Sequence, residues 1–122
     1  WYTDPKGTSW VRKRLSLPIP ADAKSATVRA FVRGERGKRV TFRTNGHEHS
    51  VPLGTSSWTW VELPFPAAEL RNGENEFWYT GNPDGRLFTA GEASRDLDHS
   101  DFGGPDRWTS LAGELSCYVE VR

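Results

Sequence analysis

The chain has 122 residues, with 16 basic and 16 acidic side chains and therefore no formal net charge. A chain of this length suits one domain that folds without disulfide staples, and its single cysteine, Cys117, excludes a disulfide framework. Residues 1–60 carry 11 Lys and Arg against 4 Asp and Glu, whereas residues 61–122 carry 5 against 12. The neutral total argues against a global basic field for nucleic acid, and no apolar run reaches the ~20 residues of a membrane span.

The first two thirds of the chain alternate between apolar and polar residues, which is typical of β-strands. Six extended segments are predicted, at residues 10–17, 26–33, 39–44, 47–53, 57–64 and 76–80. Asn45-Gly46 supplies the positive φ angles of a type I′ turn, so the third and fourth segments are expected to form a hairpin. Residues 66–70 suit a single helical turn, which Asn72-Gly73 ends.

The last third is less regular. We predict a short strand at residues 86–90, a long acidic loop over residues 91–108, and a final strand at residues 114–122. About eight short strands with almost no helix predict an all-β fold, an antiparallel β-sandwich with jelly-roll topology. Residues 1–122 form one domain on this interpretation. Because the start at Trp1 has neither a charged nor an apolar leader segment, we expect a mature or excised piece of a larger multidomain protein.

The segment Ser-Trp-Thr-Trp-Val-Glu-Leu-Pro at residues 57–64 is the most informative one. In a strand, Thr59, Val61 and Leu63 would share one face, whereas Trp58, Trp60 and Glu62 would share the other. The first face can contribute to a core. The second face would hold two indoles in solvent unless a flat ligand or a partner covers them.

Outward positions on four predicted strands extend this set. They are Arg29, Phe31 and Arg33, then Thr41 and Arg43, then Trp58, Trp60 and Glu62, then Glu76 and Trp78. Indole faces stack on the C–H faces of sugar rings, and Arg and Glu bind hydroxyl groups, so this composition predicts a glycan-binding surface. The prediction requires the four strands to lie in one sheet. The arginines favour an anionic polysaccharide.

Four stretches resemble the galactose-binding-domain-like jelly rolls that serve as carbohydrate-binding modules and accessory domains of polysaccharide-degrading enzymes. They are LSLPIP, VTFRTNGHE, WVELPFPAAELRNGENEF and GELSCYVEVR. The stretch SDFGGPDRW is also similar to a Ser-Asp-Gly-Gly…Trp segment of such modules, although Phe102 interrupts it. The resemblance implies a sandwich whose ligand binds on a sheet face or at a loop end, often with a structural calcium ion.

The predicted loop offers a second site, for which the candidates are Arg95, Asp96, Asp98, His99 and Trp108. A solvated acidic loop without a ligand is the alternative. Asp96, Asp98 and Asp101 could supply carboxylate oxygens to Ca²⁺, but the stretch lacks the spacing of an EF-hand. The His47-Glu48-His49 triplet is similar to the His-x-His part of the cupin metal motif. That motif also needs a Glu shortly downstream, and none follows here within four residues. We therefore expect an exposed hairpin tip and not a metal site.

The sequence contains no recognisable catalytic motif: we find neither a nucleophile with an adjacent base nor a glycine-rich phosphate-binding loop. The sequence holds many carboxylates, and a pair such as Glu62 and Glu76 is the alternative that a glycosidase would need. Nucleic-acid binding is disfavoured, because the same two carboxylates would repel phosphates.

We therefore expect a secreted or cell-surface, non-catalytic module. Its partners would be a polysaccharide or oligosaccharide and an attached enzyme, with no nucleic acid and no membrane. The alternatives are a structural sandwich packed on a catalytic domain, and a small polysaccharide lyase or hydrolase.

Overall fold

A computed structural model describes residues 2–3, 9–82, 86–92, 100–111 and 113–122. Its strands are β1 (Tyr2–Thr3), β2 (Trp10–Leu17), β3 (Ser25–Gly34), β4 (Arg39–Thr44), β5 (His47–Pro52), β6 (Thr59–Pro66), β7 (Gly73–Thr80), β8 (Leu87–Glu92), β9 (Ser100–Gly103), β10 (Trp108–Ser110), β11 (Glu114–Leu115) and β12 (Cys117–Val121). One 3₁₀ helix, Ala67–Glu69, follows β6 where the helical turn is predicted. The prediction of an all-β fold is confirmed.

The strands form two antiparallel sheets. In sheet one, β3 pairs with β6 along one edge and with β12 and β8 along the other, while β8 also pairs with β1 and β11. In sheet two the order is β10-β9-β2-β7-β4-β5. Successive strands change sheet after β1, β2, β3, β5, β6, β7, β8 and β10, as in a double-sheet jelly roll.

The core lies between the two sheets and is filled by the apolar side chains that occupy every second position of strands such as β3 and β6. Val28, Ala30 and Val32 are fully buried on β3, as are Phe42 on β4 and Tyr79 on β7. Phe65 of sheet one and Phe77 of sheet two approach within 6.5 Å between ring centroids, which joins the sheets directly. These buried residues alternate with the predicted outward positions of the same strands, because period-two alternation is a local property of an extended chain.

The predicted turn between β4 and β5 is also present. Asn45 and Gly46 have φ angles of 47° and 90°, as the type I′ turn between β4 and β5 demands. The Asn45 side chain donates to the carbonyl oxygen of Glu69 and to Oδ1 of Asn75, at 2.8 and 2.9 Å. Asn75 is fully buried and also donates to the carbonyls of Arg71 and Gly73. This amide network fixes the hairpin tip against the start of β7.

Several strand boundaries differ from the predictions by a few residues, and three differences bear on the outer surfaces. The predicted loop over residues 91–108 contains β9 and the start of β10, which pair as a hairpin. The predicted final strand is interrupted at Ser116, where the chain leaves β8 and joins β3. The tryptophan strand begins at Thr59, so Trp58 precedes it. Glycine-rich sequence concealed the hairpin, since Gly103 and Gly104 adopt φ angles of 128° and 71° that lie outside ordinary strand geometry.

Candidate functional site

The predicted glycan-binding set does not lie in one sheet. β3 and β6 belong to sheet one, whereas β4 and β7 belong to sheet two. Arg29, Phe31, Arg33, Trp58, Trp60 and Glu62 are consequently on one outer side of the sandwich, and Thr41, Arg43, Glu76 and Trp78 are on the other. The single-surface prediction is therefore wrong, because alternation defines the face of a strand but not the sheet that the strand joins.

The outer face of sheet one is assembled by strand register. Phe31 of β3 lies opposite Trp60 of β6, and Arg29 lies opposite both Glu62 of β6 and Tyr118 of β12. Residues directly opposite each other in antiparallel strands project to the same side. Three strands that are distant in sequence thus bring their outward side chains into contact.

Four rings form a continuous row across this face. We define the aromatic row as Trp58, Phe31, Trp60 and Tyr118. Phe31 stacks on Trp58 with centroids 5.3 Å apart and an interplanar angle of 19°, and it contacts Trp60 at 5.1 Å. Trp60 contacts Tyr118 at 5.6 Å. Trp60 and Tyr118 remain 46% and 53% exposed, so this end of the row offers apolar ring surface to solvent.

A depression of about 360 Å³ lies at the exposed end of the row, lined by Arg29, Trp60, Glu62 and Tyr118. Nε of Arg29 is 3.0 Å from Oε1 of Glu62, a close ion pair in which the N–H is not aligned for a hydrogen bond. Nη2 of the same guanidinium is 3.7 Å from Oε2 of Glu120. The volume is near the lower end of the roughly 300–1,000 Å³ typical of ligand pockets, so it suits a short segment of a ligand.

The outer face of sheet two carries a tryptophan cluster, defined as Trp10, Trp78 and Trp108. Trp78 contacts Trp108 at 4.9 Å and Trp10 at 5.9 Å, edge to face in both cases. Arg12 lies 4.2 Å from the centroid of Trp108, and Arg43 lies 5.1 and 5.3 Å from those of Trp10 and Trp78. Each indole is half-buried and contacted by a guanidinium group, so this cluster covers itself.

The arginines of that face are also paired with carboxylates. Nε of Arg12 and Nε of Arg14 lie 2.9 and 3.1 Å from Oδ2 of Asp101, which is buried. Nη1 of Arg12 lies 3.4 Å from Glu76, whose other oxygen accepts the indole N–H of Trp78 at 3.3 Å. The polar groups beside the tryptophan cluster therefore bind one another.

The loop candidates divide between described and undescribed residues. Arg95, Asp96, Asp98 and His99 lie outside the described residues. Trp108 belongs to the tryptophan cluster, and two guanidinium groups balance the charge of Asp101. Over the residues that the structure describes, no three His, Cys, Asp or Glu side chains are grouped to hold a metal ion.

The histidine pair of the hairpin has an acidic neighbour that the sequence did not reveal. Nε2 of His49 lies 2.9 Å from both carboxylate oxygens of Glu69, and Nδ1 of His47 lies 4.0 Å from Oε1. Glu69 comes from the 3₁₀ helix and is twenty residues away in sequence. Only the folded chain brings this side chain to the hairpin.

Glu62 and Glu76 cannot act on one glycosidic bond. Glu62 is on the outer face of sheet one and Glu76 on the outer face of sheet two. Packed sheets are about 10 Å apart, and the hydrophobic core fills the space between them. The carboxylate pair considered from sequence is therefore corrected to two unrelated surface carboxylates.

Several residues at these surfaces were missed from sequence: Tyr118 and Glu120 at the aromatic row, and Trp10, Arg12 and Arg14 at the tryptophan cluster. Tyr118 and Glu120 alternate with Cys117, Val119 and Val121, so their outward position was readable. Their neighbours were not, because strand pairing between β3 and β12 joins residues about ninety positions apart.

The described residues include no helix long and apolar enough to cross a membrane. Comparisons of the chain with protein-family models, with curated proteins and with solved structures find no match.

Proposed function

We propose that this domain binds a glycan at the exposed end of the aromatic row. The observation that carries the proposal is the combination of two half-exposed rings, Trp60 and Tyr118, with a depression whose other lining groups are Arg29 and Glu62. Flat apolar rings bind the C–H faces of sugars, and the charged groups exchange hydrogen bonds with hydroxyls. The family resemblance of the sequence supports the same class of ligand.

The domain would act as a non-catalytic module that holds an attached enzyme on a polysaccharide outside the cell. One small site supplies modest affinity, and tethering to a polymer-bound enzyme raises the effective concentration. The tryptophan cluster is a weaker candidate, because its own arginines contact the rings and its carboxylates neutralise those arginines.

A binding experiment with matched variants tests this function. Affinity electrophoresis in gels that contain individual plant and microbial polysaccharides should show retardation of the wild-type domain. We expect Trp60→Ala and Tyr118→Ala each to weaken binding about tenfold or more, since exposed aromatic anchors dominate such contacts. Trp10→Ala, which removes an indole from the opposite face, is the control and should bind as wild type.

The alternative is that the aromatic row packs on a neighbouring protein domain, which the same exposed apolar area favours. In that case the isolated domain would bind no polysaccharide and would self-associate in sedimentation experiments. Tyr118→Ala would then reduce self-association. If Trp10→Ala lost glycan binding while Trp60→Ala bound as wild type, the glycan site would instead lie on the outer face of sheet two. Far-UV circular dichroism of each variant verifies that it is folded.

A further inference from the structure

The charges around the depression are balanced within the protein. Arg29 lies between Glu62 and Glu120, with closest separations of 3.0 and 3.7 Å. Nε of Arg122 donates to Oε1 of Glu120 at 2.9 Å, and Nη2 of Arg122 lies 2.8 Å from the same oxygen. Two guanidinium groups and two carboxylates therefore alternate in one chain of ion pairs, and Arg29 already has two anionic neighbours.

The side chains of Glu62 and Glu120 are at least as exposed to solvent as the side chain of Arg29 that lies between them. Glu62 and Glu120 are 57% and 45% exposed, and a carboxylate has about four sites that accept hydrogen bonds. Sugar hydroxyls can donate to the outward sites without displacing Arg29. A uronate or sulfate group at the same place would lie beside these two carboxylates and beside guanidinium groups whose charge they already balance, so it would gain little net attraction.

We propose that the depression selects an uncharged glycan, and that Glu62 and Glu120 are the specificity-determining residues that exclude anionic polysaccharides. This inference rests on the proposed function and names its ligand class. The arginine content of the sequence alone favoured an anionic polymer. The ion pairs of Arg29 favour an uncharged ligand instead, because a cation held by two carboxylates attracts a further anion weakly.

The test uses the intact 122-residue domain with two sets of polymers. Galactomannan, xyloglucan, arabinan and mixed-linkage β-glucan are the uncharged probes, and polygalacturonate and dextran sulfate are the anionic probes. We expect the wild type to be retarded by at least one uncharged polymer, with little change between low and high salt. Retardation by an anionic polymer alone, lost in high salt, would overturn the inference but leave glycan binding intact. No retardation by any polymer would overturn the proposed function itself.

A charge-neutralising variant tests the role of the two carboxylates. Glu62→Gln with Glu120→Gln keeps the shape of the depression and leaves Arg29 without its anionic partners. We expect this double variant to gain affinity for polygalacturonate by about tenfold, in a salt-sensitive manner. The control, Glu74→Gln with Asp106→Asn, changes the net charge equally at exposed positions of sheet two and of its β9–β10 turn, and should gain no such affinity. An equal gain in both double variants would show that net charge, rather than these two residues, excludes anions.

Discussion

Cys117 and Lys13 share one interior corner of the sandwich, where burial governs their chemistry. Nζ of Lys13 donates to the carbonyl oxygens of Leu115 and Cys117 at 2.8 and 2.9 Å, and lies 3.8 Å from Oε2 of Glu114. These contacts join β2 of sheet two to β11 and β12 of sheet one. A lysine in an apolar interior is tolerated only with such partners, so Lys13 connects the sheets by polar contacts.

The thiol of Cys117 provides a pH-dependent test at this scale. Burial raises its pKa from 9.0 to about 12, and the positive charge of Lys13 only partly opposes that change. Between pH 9 and 12 the unfolded chain loses this proton and the folded chain keeps it. Stability from this group is thus complete below pH 9 and decreases above it, by about 1.4 kcal/mol for each pH unit.

Urea unfolding of the wild type and of Cys117→Ala between pH 8 and pH 10.5 measures this decrease. We expect the wild type to lose more stability than the variant over that range, because Ala cannot ionise. Burial also raises the pKa of Tyr79, which adds to the alkaline loss in both proteins, and the charge of ionised Cys117 raises that pKa further in the wild type alone. Both effects of the thiol therefore steepen the wild-type loss. Identical pH slopes for the two proteins would contradict the assigned burial of the thiol.

At the scale of elements, the β9–β10 hairpin supports the tryptophan cluster. Gly103 lies opposite Trp108 in the pairing of the two strands. The backbone N–H of Gly104 donates to the carbonyl oxygen of Arg107 at 2.6 Å. A Cβ on Gly103 would overlap that same oxygen, and one on Gly104 would meet the indole of Trp108. Because these two residues lack a Cβ, β10 can pack closely against β9 and place Trp108 on the sheet.

We expect Gly103→Ala to lower the free energy of unfolding by roughly 2–3 kcal/mol, because its φ of 128° is strained for an L residue and its Cβ meets backbone. Gly54→Ala is the matched control. Gly54 has open space around its Cβ position and no positive φ, so we expect it to be neutral or to stabilise by about 0.4–1 kcal/mol. Urea unfolding measures both variants, and near-UV circular dichroism reports displacement of Trp108. Equal stabilities of the two variants would show that the hairpin does not need Gly103.

At the scale of the whole molecule, a single core serves both sheets while their outer faces differ. Each sheet contributes fully buried residues to one cluster, including Val28 and Val32 from sheet one and Phe42 and Tyr79 from sheet two. Separating the sheets would expose all of that apolar surface at once. The sandwich is therefore expected to unfold as one cooperative unit.

The tryptophans report on the two faces separately and make this cooperativity measurable. Replacing Trp1, Trp10, Trp78 and Trp108 by Phe leaves only the indoles of the aromatic row, whereas replacing Trp1, Trp58 and Trp60 by Phe leaves only those of the tryptophan cluster. Within each variant, we expect the fluorescence midpoint in urea to coincide with the midpoint from far-UV circular dichroism. A fluorescence transition at lower urea than the loss of strand signal, in either variant, would show that one face unfolds independently.

Local sequence determined which side of each strand is buried and where the chain turns. The alternation of β3 and β6 separated Val28 and Val61 from Arg29 and Trp60, because successive side chains of an extended chain point in opposite directions. The Asn45-Gly46 turn was equally readable, because positive φ angles are tolerated by few residues. These properties depend only on neighbouring residues.

Tertiary structure decided which outward residues share a surface. It separated Trp78 and Arg43 from Trp60, and it brought Tyr118 and Glu120 to Arg29 and Glu69 to His49. Those associations depend on which strands pair and on how the sheets stack, which in turn depend on burial summed over the whole core. No local pattern encodes that sum, so the sequence provided the residues of the candidate site and the fold provided their arrangement.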